Sequence, residues 1–266
     1  MSRPAELDRR LLAEAIMWDY EPTWIPPGLE YVERPDVLMW RRNGPRADQR
    51  WGNRVAYTRS TPDGIESLID EVLAFLGGRP FSWVAGASSA PADLAERLAG
   101  RGLVDVGDGD LLSARLPVRG LRTADDVDIV EVEDEETARI GIRLAHPNAT
   151  AEEVADQANE MLAYLALPER RGGFLVAFMD GQPAANAAYR YSSDGRTVYL
   201  NGAQTVERFR GRGIYQTLVA YRTDAAVRHG CAYAAIRARR DTSLPILMRR
   251  GFADHGHLPI YARPDA

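Results

Sequence analysis

Apolar positions at Ile65, Leu68, Ile69, Val72, Leu73 and Leu76 recur every three or four residues, between Asp63-Gly64 and Gly77-Gly78. That spacing predicts an amphipathic helix over 65–76, opened and closed by glycine. An earlier run (Leu7, Leu11, Leu12, Ala15, Ile16) has the same period and predicts a helix over 7–18, ended by Pro22, Pro26 and Pro27. Short runs rich in β-branched and aromatic residues predict strands over 37–40, 54–58, 81–85 and 111–116, with a short helix over 91–98 closing on Arg101-Gly102.

From about Asp125 a similar order begins again with more material. Strands are expected over 127–132, 173–179, 187–191, 197–205, 231–237 and 258–262, with Asp180-Gly181 as the turn of a hairpin. Helices are expected over 135–146, 151–167, 213–229 and 244–250. Both halves contain a helix, a strand, a short helix, then Arg-Gly-Leu or Arg-Gly-Phe and a last strand. The chain therefore reads as a structural duplication, with domains over 1–124 and 125–266 and a boundary near 117–126.

The 266 residues include 33 basic and 38 acidic side chains, a net charge of −5, with 45% hydrophobic and 27% charged residues. That is enough apolar material for packed cores. The negative balance argues against nucleic acid as a partner, because phosphate binding relies on Lys and Arg. No apolar run reaches the ~18 residues of a membrane span and the N-terminus has no signal-peptide pattern, so the expected location is the cytoplasm. The single cysteine, Cys231, leaves no intrachain disulfide, and four scattered histidines offer no metal site. All 33 basic residues are arginine. Two explanations fit: the codon bias of a GC-rich genome, or the loss of lysines that would be modified by amine-directed chemistry.

The stretch that carries chemistry is Gln204-Thr205-Val206-Glu207-Arg208-Phe209-Arg210-Gly211-Arg212-Gly213-Ile214-Tyr215, at a strand end and a helix start. Glycines let successive backbone N–H groups converge, and the helix N-terminus adds unpaired donors and a positive dipole end. With Arg208, Arg210 and Arg212 this suits a pyrophosphate; a plain tight turn with solvated arginines is the competing reading. A dinucleotide fingerprint needs glycine where Gln216 stands, and a Walker loop needs the lysine this chain lacks. The remaining pattern is Arg-x-x-Gly-x-Gly, as Arg208, Gly211 and Gly213.

On that turn, the helix from Ile214 to His229-Gly230, and Leu244-Pro245-Ile246-Leu247-Met248-Arg249-Arg250-Gly251-Phe252, the region 125–266 resembles the GNAT-family N-acetyltransferases. The first half resembles the same fold in degenerate form, because its Asp63-Gly64 helix start lacks the arginines and the glycine pair. The resemblance implies an α+β fold of two GNAT-like domains, each a mostly antiparallel mixed sheet flanked by helices, with one working cofactor site. It implies acetyl-CoA as co-substrate and no metal. The pyrophosphate would be held by Arg208, Phe209, Arg210, Gly211, Arg212, Gly213, Ile214 and Tyr215, and the pantetheine arm by the strand through Asn201 to Thr205 and the Val206 backbone. Thr242 and Ser243 would contact the pantetheine or the thioester sulfur, or else cap a helix.

The implied reaction is attack of an amine on the thioester carbonyl, which needs a proton acceptor and a proton donor. Leu247 stands where many members carry an acidic tyrosine, Arg240, Asp241, Thr242 and Ser243 replace a familiar asparagine, and residues 199–204 carry no carboxylate. The catalytic candidates are then Tyr199, Asn201 and Ser243. Glu153, Asp156, Glu160, His255 and His257 are further ionisable groups near the expected acceptor side, and Glu207 sits beside the cofactor loop. The expected activity is transfer of an acetyl group to a primary amine of a small molecule or peptide, with other short acyl donors permitted by the fold. A non-catalytic CoA-binding sensor or scaffold is the alternative, and a homodimer is compatible with either.

Overall fold

The computed structural model describes residues 13–14, 25–44 and 46–264. The helix expected over 7–18 lies outside the described residues except for Ala13 and Glu14, which are helical and buried. Two compact units emerge, and neither is continuous in sequence. Unit 1 comprises Met1–Leu111, Ala238–Leu244 and His255–Ala266; unit 2 comprises Leu112–Arg237 and Pro245–Asp254. The sequence boundary at 124/125 divides the repeat, whereas the compact units exchange short segments of the chain.

The first half gives β1 (Leu29–Glu33), β2 (Val37–Arg42), β3 (Arg54–Thr58), α1 (Ile65–Leu76), β4 (Ser82–Val84), α2 (Leu94–Gly100), β5 (Val104–Asp105) and β6 (Gly109–Arg115). The second gives β7 (Val127–Glu131), α3 (Glu135–Ala145), α4 (Ala151–Leu165), β8 (Gly172–Met179), β9 (Gln182–Tyr191) and β10 (Thr197–Thr205). It continues through α5 (Ile214–His229), β11 (Tyr233–Arg239), α6 (Ser243–Met248), β12 (Ala253–His257) and β13 (Ile260–Ala262). The six-stranded sheet runs β1-β2-β3-β4-β13-β5 and the seven-stranded sheet β12-β6-β11-β10-β9-β8-β7. Most neighbours are antiparallel; β3 with β4 and β10 with β11 are parallel. The inserted strand next to β4 comes from the C-terminal end of the chain, and the one next to β11 comes from the first half.

In unit 1, α1 buries Ile65, Leu68, Ile69, Val72 and Leu76 against Val37, Met39, Val55, Phe81 and Trp83. Each such side chain contributes roughly 1.5–3 kcal/mol by leaving water. Trp83 is fully buried and its Nε1–H donates to Thr58 Oγ1 at 2.9 Å, so burial leaves no donor unpaired.

In unit 2, strand alternation divides the sheet into two faces. Leu175, Ala177 and Met179 pack with Ala185, Ala187, Ile214 and Leu218 on the α5 face. Phe174, Val176 and Phe178 pack with Ile142, Val154 and Ala158 on the face of α3 and α4. The Asp134 carboxylate caps α3 by accepting from the Thr137 N–H, and Thr150 with Glu153 forms a full capping box on α4.

Three strands were not expected from the sequence. β1 is mostly half-buried and carries glutamates at 30 and 33 with no regular alternation, β5 has two residues, and β12 reads Ala-Asp-His-Gly-His with no large apolar residue. β9 begins at Gln182 rather than 187, because Ala184 and Ala185 are buried despite their weak strand signal.

Candidate functional site

β10 and β11 pair only over residues 197–199 with 233–235. Past Tyr199 and Ala235 they continue, to Thr205 and Arg239, without cross-strand register. On its other side β10 pairs with β9 as far as Asn201 opposite Ala188, and pairing resumes with Gln204 opposite Asn186. Gly202 and Ala203 thus face the single residue Ala187, a bulge that bends β10. Val198 and Leu200 are buried, whereas Asn201 is exposed. By alternation Tyr199 and Asn201 lie on the face opposite α5, and the Arg190 guanidinium sits 5.9 Å from the Tyr199 ring centroid.

At the end of β10 the Val206 N–H donates to Ala184 O (2.9 Å) and a short 3₁₀ turn spans Glu207–Phe209. Phe209 is buried beside Ile214 and Leu218 and anchors this turn to the core. Gly211 and Gly213 take φ of +78° and +87°, in the left-handed region that favours glycine. A Cβ on Gly211 would meet nothing within 4 Å, so there it is the backbone conformation, not space, that calls for glycine. The first N–H of α5 with an intrahelical acceptor is that of Thr217, to Gly213 O at 3.1 Å. The turn therefore presents preceding backbone donors at the positive end of a sixteen-residue helix with no acidic residue in its first turn. The start of α5 is braced by Thr217 Oγ1, which accepts from the Ala124 N–H at 3.0 Å, and by Gln216 Oε1, which accepts from Arg250 Nε at 2.9 Å.

The three arginines surround this turn with side chains already engaged. Arg212 bridges Asp180 (3.0 Å) and Asp126 (3.1 Å), contacts that raise its pKa further. Arg208 lies 4.7 Å over the Phe209 ring and donates to Gln182 Oε1, while Arg210 Nε donates to Thr205 O at 3.4 Å. They supply positive potential around the turn; the converging donors are main-chain. A pyrophosphate fits this arrangement.

Thr205, Val206, Ile214 and Tyr215 flank the turn in unit 2, together with residues 208–213. Thr242 and Ser243 belong to unit 1, where the Ser243 hydroxyl accepts from the Arg239 N–H at 2.9 Å and so fastens the start of α6. Leu247 is fully buried. Glu153 is occupied by its capping box, and His257 belongs to unit 1, with Nε2 2.5 Å from Asp105 Oδ2. Among the described residues no three His, Cys, Asp or Glu side chains group as metal ligands, and no helix is long and apolar enough to cross a membrane.

Two features escaped the sequence reading. Glu131 accepts from Tyr221 (3.2 Å) and Tyr189 (3.5 Å); burial and the nearby carboxylate push the Tyr189 pKa up to about 12. Both tyrosines pack into the core on the α5 face, away from the face of Tyr199. The second is Arg222, fully buried in α5, with Nε donating to Leu218 O (3.0 Å) and Nη1 to Ala188 O (2.9 Å) and Asn201 O (3.2 Å). Its signal was present in the stripe Ile214, Leu218, Arg222, Ala226, where an arginine interrupts an apolar i, i+4 series.

A parallel strand pair that separates, a bulge and a glycine turn opening a helix together make up the candidate cofactor site. Residues 142–252 match the model of the acetyltransferase (GNAT) family, so this part of the chain is a GNAT acetyltransferase domain. Structural relatives share the fold over nearly the whole chain. A GCN5-related N-acetyltransferase from Kribbella flavida is 19% identical, with a TM-score of 0.67 over 99% of this chain and 96% of that one. A tandem GNAT protein from the clavulanic acid biosynthesis pathway is 14% identical, with a TM-score of 0.67 over 94% and 86%. A functionally unknown conserved protein from Staphylococcus epidermidis is 15% identical, with a TM-score of 0.60 over 93% and 98%. Comparison with curated protein sequences gives no match. The fold is thus the tandem GNAT fold, two mostly antiparallel mixed sheets flanked by helices.

Proposed function

We propose that unit 2 binds acetyl-CoA and transfers its acetyl group to a primary amine of a small molecule or peptide. The observation that carries this reading is the turn at Gly211 and Gly213, which follows the end of β10 after that strand has parted from β11 past Tyr199. Acetyl-CoA supplies a thioester carbonyl open to attack by the amine. The main-chain donors of 211–215 bind the pyrophosphate, favoured by the α5 dipole and by the fields of Arg208, Arg210 and Arg212. The edge of β10 past Tyr199, left without a partner strand, offers backbone groups to the amide-bearing pantetheine arm. Tyr199 and Asn201, on the face opposite α5, orient the acceptor amine. As the C–N bond forms and the C–S bond breaks, one proton leaves the amine and one reaches the thiolate.

The test is the melting temperature with and without acetyl-CoA, for the wild type and Gly211→Trp. At a hundredfold excess over Kd, binding only to the native state stabilises by about 2.7 kcal/mol. A rise in the wild type that is absent in the variant supports the reading and justifies screening amines. A folded, unliganded wild type that shows no rise overturns it.

A further inference from the structure

Arg222 is a cation in a place where cations are expensive. It is fully buried in α5, its three hydrogen bonds run to main-chain carbonyls, and Nη2 is buried with no partner among the described residues. Removing a guanidinium from water without a carboxylate partner costs several kcal/mol after relaxation. Burial lowers its pKa to about 10, which leaves it charged at neutral pH. A neutral donor would satisfy the same carbonyls at less cost, so the charge itself needs an explanation.

The two strand carbonyls supply one. Asn201 and Ala188 are cross-strand partners at the last register pair before the bulge, and both oxygens lie within reach of the same Nη1. Both therefore point between β9 and β10. In a trans peptide the N–H points opposite to the C=O. The N–H of Gly202, in the same peptide as Asn201 O, then points the other way, into the gap where β10 and β11 no longer pair. Gly202 is a bulge residue, exposed and outside the β9 register. A cation bonded to the carbonyl end of a peptide strengthens the donor at its other end, because hydrogen-bonded dipoles polarise one another.

We propose that Arg222 is a positioning residue for acyl transfer: it clamps the β10 bulge and polarises the Asn201 peptide, so that the Gly202 N–H holds the carbonyl oxygen of a thioester in the β10–β11 gap. The inference rests on the reading that this gap receives acetyl-CoA. The donor stabilises the negative charge that develops on that oxygen when an amine attacks, and it is fixed before the reaction begins. Arg222 itself does not touch the substrate.

The thioester C=O stretching band of bound acetyl-CoA, read by infrared difference spectroscopy with isotope-labelled carbonyl, tests this without knowledge of the acceptor. In the wild type the band lies below that of free acetyl-CoA. In Arg222→Met it returns toward the free position, and in Arg222→Lys, which keeps the charge but offers a smaller donor set, it lies between. If Arg222→Met does not fold, the wild type and Arg222→Lys still give a comparison, and an unmoved band overturns the proposal. A wild type that binds acetyl-CoA with an unshifted band, or a Met variant with the wild-type band, overturns it too and leaves the acetyl-CoA reading standing. A wild type that binds no acetyl-CoA overturns both.

Discussion

Gly213 and Arg212 are neighbours in the same turn, yet their substitutions are expected to act through different quantities. Gly213 sits at φ +87°, and a Cβ there would lie 3.5 Å from the Ala124 Cβ, an ordinary contact. The penalty of Gly213→Ala is thus mainly conformational, about 1 kcal/mol of stability. It also displaces the main-chain N–H groups of the proposed pyrophosphate site, so acetyl-CoA affinity should fall together with the melting temperature. Arg212 is half-exposed and paired with two exposed carboxylates, and such pairs are worth less than about 1 kcal/mol. Arg212→Ala therefore changes stability and affinity little, and calorimetric titration of both variants with acetyl-CoA separates backbone from side-chain recognition. A larger loss in Arg212→Ala than in Gly213→Ala would mean that the arginine is released from its acids to bind phosphate.

Asp105 makes a residue-scale prediction in pH. Burial raises its pKa, but the His257 hydrogen bond and the N–H groups of Gly107 and Ile260 outweigh burial and leave it below the ordinary 3.8. A depressed folded pKa stabilises above the unfolded value and loses that contribution as pH falls through the folded one. Asp105→Asn should thus melt below the wild type at neutral pH, and the gap should begin to shrink below about 3.8 and close as pH falls through the lower folded value. A gap that persists in strong acid would mean that the carboxylate charge is not what matters.

At the scale of elements, α4 depends on its first turn. Thr150 Oγ1 accepts from the Glu153 N–H at 3.2 Å, and Glu153 Oε2 accepts from the Thr150 N–H at 2.7 Å. Thr150→Ala should cost about 1 kcal/mol, read from urea unfolding with an unchanged m-value. This element was legible in the sequence because its boundary is set by local chemistry, as were α1, whose apolar stripe matches its buried face, and the junction from β10 to α5. β12 was not legible. Its strand character comes from its place beside β6, and pairing across more than a hundred residues leaves no period in Ala-Asp-His-Gly-His. The bulge at Gly202 was hidden for a similar reason: the slip in register is a relation between β9 and β10, and neither strand records it alone. Arg222 was overlooked on a helix that was expected, since a polar residue on an apolar stripe reads as noise until its carbonyl partners are in view.

For the molecule as a whole, the division expected from the sequence and the units seen in space differ in three segments: 112–124 falls in unit 2, and 238–244 and 255–266 fall in unit 1. β13 enters the six-stranded sheet between β4 and β5, with Ile260 opposite Val84, Tyr261 opposite Trp83 and opposite Asp105, and Ala262 opposite Val104. Leu258, Ile260 and Ala262 are buried there, so removing this segment strips an inner strand and not an edge. β6 does the same in the seven-stranded sheet, between β12 and β11, with Leu111, Leu112 and Ala114 buried. Cutting the chain at the sequence repeat, between 124 and 125, consequently leaves each half with a sheet open at an inner position. Losing a buried Leu or Ile costs roughly 1.5–3 kcal/mol, so two or three such residues approach the whole stability of an ordinary domain. Residues 1–124 and 125–266 made separately should each show weak tertiary circular dichroism and aggregate, because an unpaired inner strand edge invites other chains. Made together in one cell, they should co-purify as a one-to-one complex and recover the acetyl-CoA-dependent melting shift of the intact chain. If 125–266 alone is monomeric, melts cooperatively and binds acetyl-CoA as tightly as the full chain, the strand exchange contributes nothing essential, and the first half must be kept for some purpose other than completing the second.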